Sequence, residues 1–223
     1  MQELLDVERH KMLHPFQTRW LSLHVVMERL LGQFSALLTF FENPAREDRL
    51  LAAEVVLHKL KDPTTKLYFQ FLDYVLPFFI ILNKELQVKE TRIHKFHDRV
   101  STILKTIVEA YIKPDSLHNV PLERLRYRDL SNFMPLEEIY LGGRVASAFS
   151  GPHGIDPTIL HNFHLRCLEF YIEAASQILA RFPLDKEQMT RLEAIDPPHS
   201  HGKDCSTRDL VPFSHHGRGY EQA

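Results

Sequence analysis

The stretch Thr18-Arg-Trp-Leu-Ser-Leu-His-Val-Val-Met-Glu-Arg-Leu-Leu-Gly-Gln-Phe-Ser-Ala-Leu-Leu-Thr-Phe-Phe-Glu42 decides the fold class of this chain. Its apolar residues recur every three or four positions, a spacing that lines one face of an α-helix for about six turns. They are Trp20, Leu23, Met27, Leu30, Leu31, Phe34, Leu37, Leu38 and Phe41. Thr18 is a suitable N-cap, and Asn43-Pro44 ends the helix because a residue before proline avoids helical angles. The stretch predicts one long amphipathic helix.

The same spacing continues along the chain as far as Asp196. We predict helices over 46–60, over 63–82 with a kink or split at Pro77, over 91–112, over 135–149 with an interruption at Gly142-Gly143, over 157–182 and over 185–196. Asp62-Pro63 and Asp156-Pro157 each begin a helix, because aspartate caps the first free amides and proline suits the first turn. The inward positions include Leu50, Leu51 and Val55 in the second helix.

Two segments lack a helical period. Residues 115–131 are predicted to be a loop with at most one short helical turn. The tail 197–223 is rich in His, Gly, Ser and charged residues, and we expect it to be disordered. No segment alternates with period two long enough for a strand. The sequence therefore predicts an all-α multi-helix bundle over residues 1–196, followed by a disordered tail.

Composition limits the class of protein. The chain has 223 residues and a formal net charge of -2, which excludes a strongly basic protein that coats a polyanion. Its two cysteines, Cys167 and Cys205, exclude a disulfide-stapled scaffold and indicate an intracellular, reducing compartment. The most apolar stretch, Leu67–Leu82, is shorter than the roughly 20 residues that span a bilayer and contains Asp73. We expect a buried helix there and no membrane association.

Arg19-Trp20 is the first candidate site. A guanidinium beside an indole can neutralise a phosphate while the ring stacks on an unpaired base. The alternative is that Trp20 is the first buried residue of its helix, with Arg19 exposed. Two basic runs are further candidates for phosphate contact, although such runs are usually solvated helix faces. They are Arg92, His94, Lys95, His97 and Arg99, and Arg124, Arg126 and Arg128.

His161-x-x-His164-x-x-Cys167 is the strongest candidate for metal binding, but the set is incomplete. On a helix the third residue turns away from the first two, and Cys167 falls on the apolar stripe, which favours a core thiol over a zinc ligand. The tail histidines follow no spacing of a known closed site. No phosphate-binding loop, nucleophile elbow or His-Glu-x-x-His motif occurs. The sequence predicts no metal, no cofactor and no enzymatic activity.

One block of sequence is more specific. Thr18-Arg-Trp-x-Ser22, within His14–Leu31 and continuing to Leu37-Leu-Thr-Phe-Phe41, resembles a segment of hAT-superfamily transposases, especially their domesticated zinc-finger and BED-finger relatives. Tyr74–Pro77, and Cys167–Tyr171 leading to Arg181-Phe182, fit the same family. The resemblance spans roughly residues 8–196, with Thr-Arg-Trp as its most specific part.

The resemblance implies the helical insertion domain that interrupts an RNase H-like catalytic core in that family. There an Arg-Trp pair holds flipped bases, which assigns nucleic-acid binding to Arg19 and Trp20. The family's catalytic aspartates and its Cys- or Asp-x-x-His element precede this region, its catalytic glutamate and dimerisation segment follow it, and its DNA-binding zinc finger is missing here. The resemblance thus implies a truncated, catalytically inactive, nuclear protein.

Two hypotheses about function follow. In the first, the chain is an inactive transposase fragment that associates with DNA through Arg19 and Trp20. In the second, it is a helical protein-interaction scaffold whose apolar stripes bind a protein partner or a second copy. A third, a bundle that binds a small molecule, has no motif in its favour.

Overall fold

The described part of the chain is all-α, as predicted. The computed structural model describes residues 20–42, 51–87, 93–118, 120–150 and 154–182. Its helices are α1 (Trp20–Gly32), α2 (Phe34–Glu42), α3 (Leu51–Lys61), α4 (Pro63–Leu86), α5 (Ile93–Glu109), α6 (Pro114–Leu117), α7 (Gly143–Phe149) and α8 (Pro157–Arg181). Within these ranges there is no strand, only one isolated bridge between Ile112 and Phe133. The helix predicted over 185–196 and the tail 197–223 lie outside the described residues.

Both predicted aspartate caps are confirmed. The Asp62 carboxylate accepts the Thr64 amide at 2.9 Å at the start of α4, and the Asp156 carboxylate accepts the Thr158 amide at 2.7 Å at the start of α8. The amide of Thr158 lowers the pKa of Asp156, and the hydroxyl of Thr64 lowers that of Asp62, because each hydrogen bond favours the ionised form. Each Asp-Pro pair thus fixes the start of a long helix.

The main core lies where α4, α5 and α8 meet. Its largest completely buried side chains are Tyr111, Tyr171 and Phe163, none of which is measurably exposed. Tyr171 donates from its hydroxyl to the Tyr140 carbonyl at 2.7 Å, and Tyr111 donates to the Tyr127 carbonyl at 2.9 Å. These bonds satisfy the two buried hydroxyls and fasten the long connection between α5 and α8 to the core.

The helix α4 is central to the fold. It contacts α1, α3, α5, α7 and α8, and of the kink or split predicted at Pro77 the split does not occur, because the helix continues through this residue. By length and composition it is the one described helix that could span a bilayer, and 33% of its most apolar window is buried. Phe79 and Leu86 are among its apolar residues that stay partly or largely exposed, and both line the groove described below.

The helix predicted over 18–42 is wrong in one detail, because Gln33 separates α1 from α2. The backbone hydrogen bonds continue across the break: the Gln33 amide donates to the Arg29 carbonyl at 3.0 Å, and the Leu37 amide to the Gln33 carbonyl at 2.9 Å. Gly32 weakens the helix just before the break, since glycine loses more backbone entropy than other residues. The adjacent Gln33 side chain is buried.

Two other predictions are wrong. Leu51 and Val55 of α3 are 82% and 62% exposed, so these two positions predicted to face inward are not buried, and Leu50 lies outside the described residues. The region predicted to be a loop contains α6 and two 3₁₀ turns, Leu122–Arg124 and Leu130–Asn132, instead of at most one turn. Helical turns this short show no recognisable period in a sequence. Of the helix predicted over 135–149, only the part after the glycines forms: α7 begins at Gly143, whereas residues 135–142 contain only a 3₁₀ turn, Leu136–Glu138.

Candidate functional site

A concave surface lies between the C-terminal halves of α4 and α8. The cavity measures about 570 Å³, and we call it the α4–α8 groove. It is lined by Phe79, Leu82, Asn83 and Leu86 of α4, by Phe170, Glu173, Ala174, Gln177, Ile178 and Arg181 of α8, and by Phe182.

Aromatic rings shape the groove. Phe79 and Phe170 meet edge to face with ring centroids 6.0 Å apart, and Phe71 also meets Phe170 edge to face at 5.5 Å. Phe182 closes the far end, where its ring contacts Phe96 of α5 at 5.3 Å. Edge-to-face pairs of this kind favour a fixed geometry. The groove is therefore bounded by core rings on one side and by solvent on the other.

The rim of the groove carries charges of both signs. Along α8, Gln177 donates from its side-chain amide to Glu173, and Arg181 donates to Gln177. The Glu173 carboxylate also lies 3.9 Å from the guanidinium of Arg128. Glu173 and Arg181 are eight residues apart, which separates them by about 12 Å along the helix. A negatively charged and a positively charged side chain are thus about two helical turns apart along α8.

This arrangement suits binding better than a reaction. The titratable side chains that line the groove are Glu173 and Arg181, and both lie on one exposed edge of α8. An apolar groove between two helices is the usual receptor for the apolar face of a third helix. The charges at the rim then fix the direction in which that helix lies.

Arg19 lies outside the described residues, and Trp20 is described only as the first residue of α1. No contact of either side chain is known, so their role in nucleic-acid binding stays a prediction.

The basic runs are partly neutralised. The Arg99 side chain lies 3.7 Å from the Glu85 carboxylate, and Arg128 lies beside Glu173. Arg124 and Arg126 are exposed. Arg92, and the side chains of His94 and Lys95, lie outside the described part. Neighbouring carboxylates therefore weaken the field that Arg99 and Arg128 would present to a phosphate.

The His161-x-x-His164-x-x-Cys167 run does not form a metal site in this structure. His161 is exposed, whereas His164 is 5% and Cys167 1% exposed. The His164 Nδ1 lies 2.9 Å from the Leu160 carbonyl oxygen and is used in a hydrogen bond there. Cys167 belongs to the main core, as the sequence predicted. The three side chains have different environments, so they share no ligand position.

We predict that Cys167 is unreactive in the folded protein. Burial raises the pKa of its thiol above the ordinary value of 9.0, so the nucleophilic thiolate is suppressed. In a Cys205→Ser variant, Ellman's reagent at pH 8 should label no thiol until denaturant is added. Because only the unfolded chain ionises near pH 9.0, the contribution of this thiol to stability is full below pH 9 and is lost as the pH rises further. Rapid labelling of the native variant would contradict the prediction.

A second charged cluster joins α1, α4 and α7. In the described residues His24, Glu28 and Asp73 are the three side chains whose ligand atoms come within 4.8 Å of one another, so they could hold a metal ion. Asp73, however, accepts a 2.9 Å ion pair from Arg144, and it lies 3.6 Å from His24 Nε2. A metal ion would have to compete with the guanidinium. The cluster is better described as an ion-pair network that orients three helices.

The groove itself was not predicted from the sequence. Its two walls come from segments more than eighty residues apart, and the apolar lining residues fall on stripes that are typical of an ordinary core. The only available signal was the density of phenylalanine in both stripes, which does not distinguish a core from a groove.

No protein-family model, no curated protein and no solved structure matches this chain. The likeness to hAT transposases therefore rests on the sequence blocks quoted above and stays a prediction. A proposal for its function therefore has to rest on the geometry of the described residues.

Proposed function

We propose that this chain is a non-catalytic binding module that holds an amphipathic helix of a partner protein in the α4–α8 groove. The observation that carries the proposal is the groove itself: an apolar cavity of about 570 Å³ between two long helices, with charged groups confined to its rim. Of the two hypotheses drawn from the sequence, this supports the interaction scaffold.

The rim specifies the chemistry of the partner helix. Glu173 attracts a lysine or arginine, and Arg181 attracts an aspartate or glutamate, at positions about two turns apart. Between these charges the partner should carry apolar residues at i, i+3 or i+4 and i+7, because that spacing lines one face of a helix. Phe79, Leu82 and Ile178 would contact this face.

Site-specific photo-crosslinking tests the proposal. Gln177 lies at the centre of the charged edge and is exposed, so a benzophenone side chain in its place should reach an occupant without disturbing the core. After irradiation in cells, mass spectrometry should find a partner segment with the spacing and charges given above. A cross-link to the chain's own residues, to a second copy, or to no protein at all would overturn the proposal.

We predict that Leu86→Glu weakens binding of the cross-linked segment, made as a synthetic peptide, by about tenfold or more. Leu86 lines the groove but is 55% exposed, so the variant should fold normally while placing an unpaired charge in the interface. Calorimetry measures the change. Ile159→Glu is the matched control, since Ile159 is 45% exposed at the opposite end of α8. Equal losses in both variants would show that the peptide does not use the groove.

Association with DNA is the alternative proposal, and it rests on the sequence resemblance. If Arg19 and Trp20 bind nucleic acid, fluorescence anisotropy should show an affinity for single-stranded or branched DNA that falls with salt. Replacing both residues with alanine should remove most of that affinity while leaving peptide binding unchanged. The nuclear location implied by the same resemblance stays a prediction.

A further inference from the structure

A second cavity lies beside His164, in the N-terminal half of α8 and away from the residues of α8 that line the groove. It measures about 730 Å³ and is bounded by α7, by α8 and by the segment 137–141 that runs between them and the core. We call it the His164 cleft. Unlike the α4–α8 groove, it mixes apolar walls with polar groups: Glu137, Glu138, Ser150 and His164 all line it.

His164 is held in one orientation. Its ring stacks on Phe149 with centroids 5.5 Å apart and meets Phe163 edge to face at 5.6 Å. Because the carbonyl oxygen of Leu160 can only accept, Nδ1 carries the proton of their 2.9 Å hydrogen bond. In the neutral ring the lone pair is therefore on Nε2. No described residue forms a hydrogen bond with Nε2. The His164 side chain is only 5% exposed, but its Nε2 atom is not sealed from the cleft.

Three of the other polar groups that line the cleft are acceptors. Glu137 and Glu138 are exposed carboxylates on the cleft wall, and neither forms an ion pair with a described residue. The Ser150 hydroxyl already donates to the Ala146 carbonyl at 3.0 Å, which leaves its oxygen as an acceptor. The cleft thus combines a buried acceptor, two negative charges and an aromatic wall.

We propose that the His164 cleft binds an organic cation that carries N–H donors, a guanidinium or a primary ammonium group. Such a group donates to His164 Nε2, its charge is balanced by Glu137 and Glu138, and its flat or aliphatic part lies against Phe149. A metal ion fits less well, because His164 and these glutamates do not bring ligand atoms within 4.8 Å of one another, as His24, Glu28 and Asp73 do. The proposal is independent of the α4–α8 groove.

Agmatine, which carries both a guanidinium and an ammonium group, is the probe for the first test. In a protein labelled with ¹³C at histidine, titration with agmatine should shift the His164 ring signals to saturation and leave those of His161 unchanged. Sodium benzoate and zinc chloride are the comparison ligands. The absence of a saturable shift with agmatine, or a shift of His164 with zinc alone, would overturn the proposal.

Variants separate recognition from folding. His164→Asn keeps a donor near Leu160 but removes Nε2, so it should weaken agmatine binding by about tenfold. The Glu137→Gln and Glu138→Gln double variant should weaken it further by removing the charge. His161→Asn, one turn away and exposed, is the matched control and should bind normally. Equal weakening by His161→Asn would contradict the assignment.

The source of the cation can be distinguished in the same assay. A peptide that ends in arginine presents the same guanidinium group as agmatine, so the peptide should compete with agmatine for the cleft. A much tighter affinity for the peptide would identify an arginine side chain of a protein as the ligand, and a much tighter affinity for agmatine would identify a free amine. Failure of both ligands to bind saturably at the cleft would overturn the proposal.

Discussion

Replacing Gly142 with alanine is expected to lower the free energy of unfolding by about 3 kcal/mol and the melting temperature by about 10 °C. Gly142 has φ +97° and ψ 152°, a region that side chains rarely adopt. A Cβ built there would also lie 2.7 Å from Cγ of Tyr74. Since the Tyr74 ring already packs against Phe78 and Tyr140, it cannot move away easily. Thermal unfolding followed by circular dichroism measures the loss.

Gly143 provides the matched control for this prediction. It is the first residue of α7, and a Cβ added there meets nothing within 4 Å. Gly143→Ala should therefore change stability by no more than about 1 kcal/mol, and in the stabilising direction. If both alanine variants melt at the same temperature as the original chain, the close approach of Gly142 to α4 does not exist in solution. The position of α7, and with it one wall of the His164 cleft, would then be wrong.

The second large effect is expected at Tyr171. Replacement by alanine should cost about 4 kcal/mol, because it empties a completely buried site between α4, α5 and α8. The ring stacks on Tyr111 at 6.1 Å and meets Phe71 edge to face at 5.4 Å. Few neighbours can collapse into the space that remains. Urea unfolding at neutral pH gives the difference in free energy.

Tyr171→Phe divides that cost into its parts. It keeps the ring but removes the hydroxyl that donates to the Tyr140 carbonyl at 2.7 Å, so the expected loss is about 1–2 kcal/mol. Tyr127→Phe, on the half-buried surface, should be close to neutral. If Tyr171→Phe were as harmful as Tyr171→Ala, the hydroxyl would matter far more than the packing that the fold assigns to the ring.

The sequence predicts those features that depend on neighbouring residues. The caps at Asp62 and Asp156 follow from two-residue chemistry, and both were located correctly. The burial of Cys167 follows from the period of its own helix. The break at Gln33 and the exposure of Leu51 and Val55 do not follow in this way, because they depend on which neighbours cover each helix.

The two cavities illustrate the same limit. Phe79 and Phe170 face each other only because α4 and α8 pack side by side, and nothing local to either segment indicates the gap between them. In the sequence His164 belongs to a spacing typical of metal ligands. In the structure its Nδ1 is hydrogen-bonded to the Leu160 carbonyl, and it lines a cleft together with Glu137 and Glu138. In the sequence nothing distinguishes Leu160, Glu137 and Glu138 from other helix and loop residues.

The most direct test of the central claim is to map the bound partner segment on the protein by NMR. With methyl groups labelled in leucine, isoleucine and valine, the peptide identified by cross-linking at Gln177 should shift the signals of Leu82, Leu86 and Ile178 in the α4–α8 groove. The methyl signals of Leu51 and Val55 on the exposed face of α3 should stay unchanged. Shifts confined to α3, with the groove signals unmoved, would contradict the account.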